Sequence, residues 1–92
     1  MRVEINKNQW QNLGTLITAK GGSLESGKKY QIQNVGNQKV QITTGTRPSV
    51  KLDGFIVTPF DKWVLVKGDD DVWVRTIMAD TVINIAEIVE EE

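Results

Sequence analysis

What most constrains this chain is a succession of short β-strand signals, each closed by a turn after about 8–12 residues. Tyr30, Gln31, Ile32 and Gln33 alternate apolar and polar side chains, and so do Val40, Gln41, Ile42 and Thr43. A period of two marks a strand with one buried face. Between the two runs, Asn34, Val35, Gly36 and Asn37 have a turn composition in which Gly36 adopts positive φ at little cost. Residues 29–44 therefore read as a β-hairpin with Tyr30, Ile32, Val40 and Ile42 on its inner face.

Further strand signals flank this pair. Leu16, Ile17, Thr18 and Ala19 form a short β-branched run ended by Gly21 and Gly22. Phe55, Ile56 and Val57 are stopped by Pro59. Trp63 through Val66 is apolar on both faces and Val72, Trp73 and Val74 nearly so, with a polar turn holding Asp69, Asp70 and Asp71 between them. Residues 62–76 thus read as a second hairpin. Residues 77–90 compete as a helix capped by Asp80, but Thr81, Val82, Ile83, Ile85 and Ile88 are β-branched and favour a strand. The expectation is an all-β fold, a small antiparallel β-sandwich or jelly-roll-like barrel of about six to eight strands.

A chain of 92 residues, 39% hydrophobic and 25% charged, holds one modest core and one domain. The expected division is residues 1–12 as an N-terminal arm or first edge segment and residues 13–92 as the sandwich. Eleven basic against twelve acidic residues leave a net charge of −1, so no cationic excess points to nucleic acid. With neither cysteine nor histidine, disulfides are impossible and most zinc, iron and copper sites lose their usual ligands, as do Ser-His and Cys-His catalysis. The first eleven residues carry Arg2, Glu4 and Lys7 without the apolar segment of a signal peptide. No apolar run approaches the ~20 residues of a spanning helix. The expectations are no cofactor, no membrane partner and synthesis in a cytoplasm.

Two acidic groupings invite a chemical reading. Asp69, Asp70 and Asp71 offer oxygen ligands to calcium, but without the spacing of a twelve-residue calcium loop, and a turn tip accounts for them more simply. Asp53, Asp61 and Asp80 fall in turns, where Asp serves the local backbone, so no carboxylate pair stands out for glycoside hydrolysis. The chain reads as a non-enzyme.

The tryptophans are more informative. Trp63 and Trp73 flank one turn and suit either the core or a subunit contact. Apolar residues on both faces of 62–76 call for a cover over the second face, which makes Trp63, Leu65, Trp73 and Val74 the expected oligomer interface. The opposing reading places these strands centrally, under the N-terminal segment. Trp10 sits among Asn6, Lys7, Asn8, Gln9, Gln11 and Asn12. It either anchors an arm on a partner or folds back as a cap on its own sheet. Trp10, Gln11 and the loop residue Arg47 are the candidate partner contacts.

In order along the chain, Trp10 before Leu13 and Leu16, the stretch from Tyr30 through Gly36, the stretch from Gly54 through Pro59, then Val72-Trp73-Val74-Arg75 and the final apolar run resemble the small β-sandwich virion proteins of tailed bacteriophages. The likeness extends loosely over residues 10–88. It implies a capsid decoration (cement) protein working as a homo-oligomer, commonly a trimer, on the major capsid protein or another virion protein. Its place would be the virion, assembled in the bacterial host cytoplasm. A tail or fibre component that binds carbohydrate or a receptor is the alternative; it needs a tryptophan or Tyr30 exposed beside polar groups. The likeness carries no active-site residue.

Overall fold

The computed structural model describes residues 1–7, 9–45, 55–76 and 78–89. Eight strands and one short helix follow in the order β1 (Arg2–Ile5), β2 (Gln11–Asn12), α1 (Leu13–Thr18), β3 (Lys29–Asn34), β4 (Val40–Thr44), β5 (Phe55–Val57), β6 (Lys62–Val66), β7 (Val72–Thr76) and β8 (Thr81–Ile88). They form two four-stranded sheets, β1-β8-β3-β6 and β2-β7-β4-β5, with every strand pair antiparallel.

The pairing is nested. β4 pairs with β5, β3 with β6, β2 with β7 and β1 with β8, as if one long hairpin had been rolled up. The rolled ribbon is stitched into two sheets where β3 meets β8 and β4 meets β7. This is the connectivity of an eight-stranded jelly roll. The expected all-β sandwich is thus observed, and its strands face as the period-two pattern requires. Val3, Ile5, Tyr30, Ile32, Val40, Ile42, Val72, Val74, Ile83 and Ile85 turn inward to one continuous core.

Three local expectations are overturned. Residues 29–44 and 62–76 are not hairpins: β3 and β4 lie in opposite sheets, as do β6 and β7. Alternation gives a strand its inner face but does not choose its partner. The crossing after β3 is held by Asn34, whose buried amide donates to the carbonyls of Gln38 and Val57 and accepts from the Gly36 amide. Gly36 is required here by space rather than by positive φ: a Cβ would lie 1.8 Å from Thr81 Oγ1 and 3.1 Å from the Val82 nitrogen. Finally, residues 16–19 belong to a helical turn instead of a strand. Asn12 accepts from the Thr15 amide at 3.2 Å as N-cap, and Leu13 and Ile17, one turn apart, are both buried. Cap and spacing outweigh the β-branching of Ile17 and Thr18.

Candidate functional site

The expected contact residues do not gather into one site. Leu65 and Val74 are enclosed in the core, and Trp63 packs against that core. Because β6 and β7 lie in different sheets, Trp63 and Leu65 belong to one layer of the sandwich and Trp73 and Val74 to the other, with Leu65 and Val74 meeting the same core. Trp73 is half-buried, with its indole donating to the Gly45 carbonyl at 2.9 Å. These four side chains therefore do not form a common outer surface. Arg47, the loop candidate, lies outside the described residues.

Trp10 is also taken up internally. Gln11 pairs with Val74 and Asn12 with Trp73, so extending this register by one residue sets Trp10 opposite Arg75. Gln41 sits opposite Arg75 from the other side, and Ile56 beyond it. A single cross-strand row thus runs over the outer face of this sheet. The Arg75 guanidinium lies 5.1 Å from the Trp10 ring centre, and its Nε donates to Gln41 at 2.7 Å. All three are closed to solvent, at 6%, 8% and 2% exposure for Trp10, Arg75 and Gln41. The aromatic face supplies electron density to a cation that has no carboxylate partner among the described residues. Gln11 is half-buried beside this row and accepts from the Asn6 amide at 2.9 Å.

What lies open instead was not singled out by pattern. Phe60 is 76% exposed, and its φ of 66° lies in the left-handed region that aromatic residues avoid. Its amide donates to the Asn34 carbonyl at 2.7 Å, and the Asn34 amide donates to Asp61 at 3.0 Å. The buried Asn34 thus fixes the bend that holds the ring outward. At the same end of the sandwich Pro59, Met78, Asn37, Gln38 and Lys39 line a shallow cleft, with Met78 largely exposed. A strained backbone presenting an exposed ring is a feature of binding sites. The sequence signal was Pro59-Phe60-Asp61, an aromatic inside a turn with no periodic partner.

The charged surface is otherwise ordinary. Lys28 pairs with Glu25 and, at 3.3 Å, with Glu87; the Glu25 pair, then the Glu87 pair, raises the ammonium pKa above its usual value. The Asp69–Asp71 turn is tied by Ser26, whose single hydroxyl proton is shared between the Gly68 carbonyl at 2.7 Å and the Asp69 carboxylate at 3.0 Å. Among the described residues no three acidic side chains are grouped to hold a metal ion.

The molecule so described is a jelly-roll domain with an internally pinned N-terminal segment and an exposed apolar end. Comparison with protein-family models, with curated proteins and with solved structures finds no match to this chain.

Proposed function

We propose that this chain is a structural subunit of a tailed-bacteriophage virion, a capsid decoration protein that binds the outer head surface and stabilises the capsid. The observation that carries the reading is Phe60: an exposed aromatic on a strained bend, beside Pro59 and Met78, at one end of a rigid sandwich. An aromatic held out of the core at a conformational cost is suited to anchor a partner, and aromatics are enriched among interface anchors. The jelly roll supports it by analogy, since the architecture is used in viral capsid domains. The action is passive: many weakly held copies bridge neighbouring capsid subunits and gain through multivalency.

The alternative, a carbohydrate- or receptor-binding module of a tail or fibre, needs an exposed tryptophan or Tyr30. Tyr30 and Trp10 are buried, the Tyr30 hydroxyl accepts from the Glu25 amide, Trp63 is half-buried against the core, and the half-buried Trp73 donates its indole N–H to the Gly45 carbonyl. The head surface is therefore preferred. The test adds purified protein to heads that lack it and measures occupancy by co-sedimentation. Wild type should saturate the heads and Phe60→Ser should bind at least about tenfold more weakly, the loss expected for an interface anchor. No binding by wild type, or equal binding by the variant, removes the Phe60 end from the account.

A further inference from the structure

Each sheet of a sandwich has two edges, and three of the four here are blunted. β2 is two residues long. β5 is three residues long, with Pro59 close behind it. β1 exposes Arg2 and Glu4. Short strands, prolines and charges are the usual guards against edge-to-edge pairing. β6 is different: five residues long, with Val64 and Val66 exposed at 49% and 66% and no charge between Lys62 and Lys67.

The hydrogen bonding gives this edge its direction. Lys67 donates to Lys28 and accepts from Gly27, each at 2.9 Å, and at the other end Asp61 accepts from Asn34. The Asp61 carbonyl and both backbone groups of Lys67 therefore turn toward the β3 side, while the Asp61 amide donates to the Thr58 carbonyl, and strand alternation turns 63 and 65 toward β3 as well. Lys62, Val64 and Val66 turn theirs toward the free edge, where no strand pairs with them among the described residues. At Lys62 the edge amide already donates to Asp61 Oδ1 at 3.0 Å. Among the described residues, the groups left open are the amides of Val64 and Val66 and the outward carbonyls.

We infer that β6 pairs antiparallel with β6 of a second copy about a twofold axis at Val64. In this register Val64 of one copy faces Val64 of the other and they exchange two backbone hydrogen bonds. Each Val66 amide meets the Lys62 carbonyl opposite. The two sheets become one continuous sheet, and the exposed valines close into a seam flanked by the Lys62 stems. Charge fits the same register: Asp61 lies across from Lys67 of the second copy, twice. The Asp61 carboxylate already leans to this edge, and Lys67 Nζ keeps one of its three donors after bonding Gly68 and Asp70. No like charges stand opposite, and a net charge of −1 adds little repulsion. The pairing does not depend on where the protein acts, and it predicts a closed dimer where the phage resemblance implies a trimer.

The test is mass by light scattering on the full chain over a range of concentrations, with amide exchange at Val64 and Val66. Wild type should give twice 10.3 kDa, with both amides protected as concentration rises. Val64→Lys puts like charges face to face on the axis and should raise the dissociation constant about tenfold or more. Asp61→Lys should weaken the dimer, and the double variant Asp61→Lys with Lys67→Asp should recover it. Circular dichroism identifies any variant that fails to fold, and the exchange readout on wild type decides without variants. A monomer, a trimer, or a dimer unaffected by Val64→Lys overturns the inference.

Discussion

Trp10 has no apolar neighbour along the chain, yet its ring is almost closed to solvent, because Arg75 and Gln41 meet it across the sheet. Its role is to cover a buried cation, so truncation leaves both a void and an exposed guanidinium. Trp10→Ala is expected to lower stability by about 2–4 kcal/mol. A urea titration measures this, and Trp10→Phe, which keeps an aromatic face, should lose less. An unchanged midpoint for Trp10→Ala would return the residue to the role of a free anchor. Gly36 makes a second prediction at this scale. A methyl group there collides with Thr81 and crowds the Val82 backbone, so Gly36→Ala should cost about 1–3 kcal/mol. Adding Thr81→Ala removes the nearest colliding atom and should recover part of the loss. Purely additive losses in that double-mutant cycle would place the strain elsewhere.

At the scale of elements, the bend between β5 and β6 separates stability from function. Phe60 occupies a conformation that glycine adopts freely, so Phe60→Gly should match or exceed wild-type stability by up to about 1 kcal/mol while weakening binding to heads. Thermal unfolding and co-sedimentation on the same protein check the two signs; a clear loss of stability would mean that the ring packs on the domain. The strands themselves were legible, because alternation at Tyr30–Gln33 and Val40–Thr43 reports which face is buried and both runs bury that face. Their partners were not, since β3 and β4 are equally well formed as a hairpin or as neighbours in opposite sheets. The helix was hidden for another reason: its evidence was one capping asparagine and one Leu13–Ile17 spacing, against three β-branched residues, Thr15, Ile17 and Thr18. In the candidate contacts, apolar character alone does not separate core from surface. Leu65 and Val74 are apolar because they are core, whereas Val64 and Val66, one residue away, are the exposed ones.

Nested pairing has a consequence for the molecule as a whole. The outermost pair, β1 with β8, joins the first strand to the last: the Met1 amino group donates to the Ile85 carbonyl at 2.9 Å, and Val3 faces Ile83. The first residues are therefore an integral edge of the sandwich rather than a detachable arm. Removing residues 1–5 takes Val3 and Ile5, both fully buried, out of the core. At about 1.5–3 kcal/mol for each buried aliphatic side chain, the loss is about 3–6 kcal/mol before the β1–β8 ladder is counted. A domain this small has a total stability near the low end of roughly 5–15 kcal/mol, so the truncated chain should not hold a native fold. Circular dichroism and proton spectra should report lost tertiary packing, and Val3→Ala in the intact chain should give a folded protein of reduced stability. A truncated chain that stays folded with a sharp unfolding transition would mean that β8 can serve as an edge by itself, and the arm would then be free to act on a partner.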